Sequence, residues 1–238
     1  MRKTLTWLLA GTLALLSSAC TVMETQSLGK GSGFTANGDI PPQVVDWART
    51  NVWKVHIGRG AGSGFAYDKD TVITACHVVR STPKDQLLWL TNDRDTRVVF
   101  VQTKSCNEDT DIAVLKVRFG DDLNPSPTVL RQETRQGKVV WGAGHPLDMA
   151  LVITQGHIQT PDDTDHALNG RFITSATIFG DSGSPVLAMY KGQVAVVGIR
   201  VSILAASVSL GFGSIPNLMP HLTLMSPAKN IQDEIESD

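Results

Sequence analysis

The chain has 238 residues, 42 % of them hydrophobic and 18 % charged, which excludes a disordered protein and allows a substantial core. The formal net charge is −2, from 21 basic and 23 acidic residues, so composition offers no case for a nucleic-acid partner. An all-β enzyme of this length is ordinary.

The N-terminus reads as a leader rather than as part of a fold. Met1-Arg2-Lys3 is basic, Leu5 to Leu16 is apolar, and Ser17-Ser18-Ala19 supply small residues. That is the pattern of a secretory signal over residues 1–19, too short for a transmembrane helix. Cys20 stands directly after the small residues and looks like a bacterial lipoprotein processing site. That likeness implies acylation of Cys20 and a membrane anchor. Thr21, in place of the Asp associated with inner-membrane retention, favours the outer membrane facing the periplasm. Ser17 departs from the Leu preferred there, with Leu16 one place early, so ordinary signal cleavage beside an incidental cysteine is the alternative. Residues 20–42 carry Gly29, Gly31, Gly33, Gly38 and then Pro41-Pro42, and read as a tether.

Gln43 to Thr50 predicts a short helix. Apolar or alternating runs then recur at Val52–Ile57, Gly64–Tyr67, Thr71–Thr74, Gln86–Thr91, Arg97–Thr103 and Ile112–Arg118. A second set covers Lys138–Ala143, Ala150–Thr160, Arg171–Ala176, Pro185–Met189, Gln193–Ile203 and Leu210–Ile215. Gly120 to Gly137, with Pro125 and Pro127, separates the two sets. Many short strands divided by turn residues indicate an all-β sandwich or barrel. Asn217 to Leu224 is expected to close the fold as a helix, and the acidic end, residues 226–238, to fray. Trp47, Trp53, Trp89 and Trp141 read as core or partly buried aromatics.

Three short segments carry the chemistry. Gly180-Asp181-Ser182-Gly183-Ser184-Pro185 is a tight loop between apolar runs. It fits either a plain turn or a nucleophile loop, where small neighbours admit a carbonyl and successive N–H groups converge on an oxyanion. His77 lies in Thr74-Ala75-Cys76-His77-Val78-Val79, and Asp111 opens Asp111-Ile112-Ala113-Val114-Leu115. Each alone suits a structural role. Together they supply a nucleophile in Ser182, a base in His77 and an orienting acid in Asp111, in the order His, Asp, Ser. Such a base must be neutral, so activity should fall on acidification between about pH 8 and 5. His145, His157 and His166 lack metal-ligand spacing, and Asp162-Asp163-Thr164-Asp165-His166 reads as a solvated loop, so neither metal nor cofactor is expected.

These segments, with Ala61-Gly62-Ser63-Gly64-Phe65, resemble the signatures of trypsin-like serine proteases, and most closely the HtrA/DegP protease domain. Val140-Trp141-Gly142-Ala143-Gly144-His145-Pro146 through Gly156-His157-Ile158, Gly198-Ile199-Arg200-Val201 and Gly211-Phe212-Gly213-Ser214-Ile215-Pro216 extend the likeness, which runs from about Val52 to Leu224. The resemblance implies two six-stranded antiparallel Greek-key barrels with the active site between them. The domain would span 43–225, with barrel one over about 43–120 and barrel two over about 136–225. It further implies an exported serine endopeptidase acting on polypeptides through an acyl-enzyme, with the N–H groups of Gly180 and Ser182 as oxyanion donors. By alignment the primary pocket has its base near Ala176, with Thr177 beside it and Ile199, Arg200 and Val201 along a wall. No acid stands at that base, so a small or medium apolar residue is favoured over Arg or Lys. Arg200 is expected to point to solvent. With Cys20 acylated, Cys76 and Cys106 remain; the triad would bring them together as a disulfide, two buried thiols being the alternative. The resemblance also leaves room for an oligomer.

The departures are specific. The HtrA group carries Asn where Asp181 stands. Digestive proteases have the acid, which pairs with a freed N-terminus after activation; no activation sequence is evident here, leaving Asp181 without an obvious partner. Ser184 stands where most relatives have a second glycine, and Cys76 where Asn or Ala is usual. Only 56 residues follow Ser182 in this sequence, and the expectation is that these finish the barrel without a PDZ domain. Two other functions compete. An α/β-hydrolase esterase needs an acid between nucleophile and histidine, and no Asp or Glu occurs from Gly183 to Pro220. A catalytically silent, protease-like lipoprotein would keep the fold and use the cleft as a binding module.

Overall fold

The computed structural model describes residues 40–237 apart from 59, 84–86, 121–124, 133–134, 161–170, 176, 178 and 211–212. The expected signal segment, residues 20–39 of the expected tether with Cys20, and the run from Asp162 to His166 lie outside the described residues.

Helix α1 spans Pro42–Asn51. Pro42 suits its first turn, where the missing N–H would have no partner. Val44, Trp47, Ala48 and Asn51 form its buried stripe, at the spacing of one helix face. The Asn51 amide donates to Ser126 O at 2.6 Å and its Oδ1 accepts from Ser126 N at 3.0 Å, tying the segment between the strand sets to this helix end.

Strands β1 (Val52–Ile57), β2 (Gly60–Ala66), β3 (Thr71–Ala75), β4 (Leu88–Asn92), β5 (Asp95–Asn107) and β6 (Ile112–Val117) close one antiparallel barrel in the order β1-β2-β3-β6-β5-β4. A single helical turn, α2 (Cys76–Val79), follows β3. Strands β7 (Val139–Gly144), β8 (Val152–Ile158), β9 (Arg171–Thr174), β10 (Pro185–Tyr190), β11 (Gln193–Leu210) and β12 (Gly213–Pro227) close a second in the order β10-β11-β12-β9-β8-β7. All twelve expected strands overlap an observed one, and the expected pair of six-stranded barrels is the observed architecture.

Burial explains the sequence patterns. In β4 burial alternates, Leu88, Leu90 and Asn92 facing inward, as expected of a strand with one covered face. All of β3 is buried. One of its faces meets the barrel interior and the other packs towards β11 of the second barrel, so its run is continuous rather than alternating. Trp53, Phe65, Ile73, Leu90, Ile112 and Leu115 are the large, fully buried side chains of barrel one. Its core is continuous with Trp141, Leu187, Val196 and Ile199 of barrel two.

The end of the chain differs from expectation. Residues 217–224 belong to β12 rather than to a helix. Pro220 withholds an N–H and would clash with the carbonyl four residues earlier in a helix, whereas the register break between Thr223 and Met219 of the β11–β12 ladder leaves it without a pairing partner in the strand. The closing helix comes later, as α3 (Ala228–Ser237), within the segment expected to fray. Ala228 and Ile231 are buried and Ile235 partly so, a stripe at positions one, four and eight. The Asn107 amide donates to Glu234 at 3.0 Å, fastening the helix to β5.

Candidate active site

His77 lies in α2, at the end of β3, and Asp111 immediately precedes β6, the strand paired with β3. That pairing brings the two residues together across 34 positions of sequence. Asp111 Oδ2 meets His77 Nδ1 at 2.6 Å, and Asp111 Oδ1 accepts the His77 backbone N–H at 2.8 Å. The Asp111 carbonyl accepts from Cys76 N at 3.0 Å. The acid therefore fixes both the ring and the backbone of the histidine. It does so from a left-handed conformation, φ 54°, which Asp tolerates better than most residues. A disulfide joins Cys76 in α2 to Cys106 in β5, next to this clamp.

Ser182 comes from barrel two and opens into the same cleft. That cleft, of roughly 620 Å³, is lined by His77 and Asp111 on one side and by Thr177, Phe179, Ser182, Arg200, Val201 and Ser202 on the other. Ser184 is fully buried, so of the two loop serines only Ser182 faces the cleft. No hydrogen bond joins the His77 ring to Ser182 among the described residues; such contacts commonly tighten only when substrate is bound. Thr177, Arg200 and Val201, three of the expected pocket residues, line the cleft. Ile199 instead is buried in the core, and Ala176 lies outside the described residues.

The nucleophile loop is held from barrel one. Ser63 in β2 donates its N–H to Ser182 O at 2.9 Å and its hydroxyl to Gly180 O at 2.7 Å. The same hydroxyl accepts from His145 N at 2.9 Å. Gly183, at φ 83°, lets this approach occur: a Cβ there would overlap Ser63 O. Phe179 O accepts from Leu147 N at 2.7 Å. A trans peptide sets C=O and N–H antiparallel, so the Gly180 N–H is turned away from that segment. Gly180 has φ 98°, which glycine adopts without strain.

Arg200 does not point to solvent. Its side chain is 1 % exposed and Nη1 lies 3.1 Å from Asp181 Oδ2, itself in a side chain 4 % exposed. Asp181 therefore has a partner, across barrel two. Nη2 donates to Ser175 Oγ at 2.6 Å and to Thr154 Oγ1. Burial pushes the guanidinium's pKa down, and the neighbouring Asp181 carboxylate opposes that shift. Space for the group comes from Gly142 in β7, where a Cβ would sit inside the guanidinium. Ser63, Gly142 and Gly144 lie in segments that carry the family resemblance, but the sequence assigns no role to them, nor to Thr154 and Ser175. The spacing of Gly142 and Gly144 was a usable signal, because residues two apart on a strand share a face.

Residues 62–199 match the family model described as a trypsin-like peptidase domain. Among curated proteins, protease Do-like 1, chloroplastic, of Arabidopsis thaliana is 30 % identical over 176 residues, covering 68 % of this chain and 38 % of that protein. Serine protease HTRA1B of Danio rerio is 27 % identical over 189 residues, covering 74 % of this chain and 37 % of the relative. The chain thus spans well under half the length of these relatives. Among solved structures, the active form of the Rv3671c protease from M. tuberculosis superposes with a TM-score of 0.60 at 20 % identity, over 81 % of this chain and 82 % of that one. An inactive form of Rv3671c protease gives 0.59 at 20 % identity, over 82 % and 91 %. These structures share the fold. The two barrels, the loop geometry and the family match agree: the chain belongs to the trypsin-like peptidase family, with Do-like and HtrA serine proteases among its relatives.

Proposed function

We propose that the protein is an exported serine endopeptidase, anchored to a bacterial outer membrane through lipid on Cys20. The observation that carries the catalytic part is the two-point hold of Asp111 on His77, beside a cleft into which Ser182 opens. In this reading Ser182 Oγ attacks the scissile carbonyl while His77 Nε2 takes its proton. Asp111 keeps the Nδ1–H tautomer and stabilises the imidazolium. The N–H groups of Gly180 and Ser182 receive the oxyanion. His77 then protonates the departing amine, and water activated by the same ring releases the acyl group. No cofactor enters any step.

The cleft argues for a P1 residue that is not basic. The carboxylates near it are already engaged, Asp181 by the buried Arg200 and Glu108 by Arg80, so neither stands ready for a basic side chain. Thr177 and Val201 leave a small, mixed surface suited to short apolar residues. A serine-directed fluorophosphonate tests the reading: folded protein should label, and Ser182→Ala should abolish labelling. Unlabelled wild-type protein would leave the fold as a binding module. The anchor is tested separately, by release of Cys20→Ser protein from the membrane fraction.

A further inference from the structure

A carboxylate buried as deeply as Asp181 requires a compensating charge, because an isolated ion out of water loses its hydration with nothing in return. The chain supplies that charge from within barrel two. Arg200 Nη1 stands 3.1 Å from Asp181 Oδ2. The slot for the pair is cut into β7. A Cβ at Gly142 would overlap the guanidinium, and one at Gly144 would lie 2.6 Å from Asp181 Oδ1. Thr154 of β8 and Ser175, just past β9, hold the far side of the guanidinium. Two glycines and two hydroxyls from three parts of the barrel thus shape a seat for one side chain.

The backbone of Arg200 grips the same loop from its other end. Its N–H donates to Ser184 O at 2.9 Å, and its carbonyl accepts from Gly183 N at 2.8 Å. Arg200 therefore holds the loop on both sides of Ser182. The side chain acts before the nucleophile, through Asp181, and the main chain acts after it. Asp181 contributes to both peptides that carry or adjoin the proposed oxyanion donors, so anchoring its carboxylate limits rotation of the Gly180–Asp181 and Asp181–Ser182 peptide planes.

We infer that Arg200 is a positioning residue, an internal counter-ion for Asp181 that sets the oxyanion loop in the folded chain without a freed N-terminal ammonium. In digestive relatives that ammonium is the partner of the matching acid; here a strand residue of the same barrel fills the role. The inference rests on the proposed peptidase reading.

Two experiments test it. In the first, full-length protein carrying an uncleavable N-terminal fusion is compared with unblocked protein for its rate of fluorophosphonate labelling. The rates should agree within about twofold; labelling that appears only after cleavage exposes a new N-terminus overturns the inference. In the second, Arg200→Met is compared with the double variant Asp181→Asn/Arg200→Met on a small apolar ester. Arg200→Met should lower kcat about 10²-fold or more, the scale for losing one oxyanion donor, with KM changed less than about threefold. The double variant, which removes the stranded charge and leaves the Asn usual in the HtrA group, should recover at least tenfold of that loss. A kcat for Arg200→Met within threefold of wild type, or a folded double variant no better than the single one, overturns the inference. Amide hydrogen exchange at Gly183 and Ser184, whose N–H groups donate to Arg200 O and Asp181 O, reads the loop without turnover, so it separates this inference from the peptidase reading. These amides should be protected in wild-type protein, fused or not, and exchange at least tenfold faster in Arg200→Met.

Discussion

Gly142→Ala probes the buried ion pair from the strand beneath it. The new Cβ would overlap Nη2, Cζ and Nε of Arg200, whereas carbon atoms normally sit about 3.5–4 Å from their neighbours. The guanidinium would have to move by about 2 Å, since β7 cannot. Gly142 pairs with Val186 of β10 on one side and with Thr154 of β8 on the other. Displacement breaks the contact to Asp181 and the bonds to Thr154 and Ser175. Removing one partner of a buried ion pair costs about 3–5 kcal/mol, and overpacking alone costs about 1–3 kcal/mol. These alternatives compete, because a strained pair is retained only while its strain is the smaller cost. The expected loss is about 3 kcal/mol. Two other glycine-to-alanine changes calibrate it. Gly60→Ala meets nothing nearer than 3.7 Å and should lie within about 0.5 kcal/mol of wild type. Gly192→Ala is equally open but sits at φ 80°, so it should cost about 1 kcal/mol from backbone conformation. Urea unfolding followed by tryptophan emission measures all three. A Gly142→Ala midpoint equal to that of Gly60→Ala would refute the placement of Arg200 under β7.

Asp111→Asn keeps a side chain that tolerates φ 54° and so isolates the carboxylate charge; kcat should fall about 10⁴-fold with little loss of stability, measured by ester turnover and thermal melting. Replacing both Cys76 and Cys106 with Ser opens a loop of 30 residues, for which chain entropy gives a loss of about 3.6 kcal/mol in urea unfolding. Burial lowers the pKa of both His145 and His56, outweighing the opposing pull of Asp93 on His145 and of Asp148 on His56. The unfolded chain then binds more protons below the ordinary value of 6.5. Stability should hold above about pH 6.5 and decline as pH falls towards the lowered values, and His145→Asn should flatten the decline. Asp148 acts in a separate window: its bond to Lys54 lowers its pKa, so its contribution fades only as pH drops below 3.8.

Much of the barrel architecture was legible because period-two burial and turn residues are local properties. The Thr71–Thr74 run predicts β3 to within one residue, and the Val52–Ile57 run predicts β1 at both ends. His77, Asp111 and Ser182 stood out because each sits in a recognisable short setting. The closing helix was missed for a physical reason. Its stripe of Ala228, Ile231 and Ile235 is thin, and its acidic residues suggest solvent, so only packing against the barrel distinguishes it from a frayed end.

The sequence by itself determined the loop around Ser182, the order of the three candidate catalytic residues and the strand segments, since each depends on neighbours within a few positions. Tertiary structure alone decided the partner of Asp181. On a strand, an arginine between Ile199 and Val201 reads as a solvent-facing residue, because alternation says only which side it leaves by. Whether that side is water or a slot depends on β7, the strand on the far side of β10. There, Gly142 and Gly144 remove the side chains that would have filled the space, and a buried carboxylate nineteen positions away in sequence makes burial of the guanidinium tolerable.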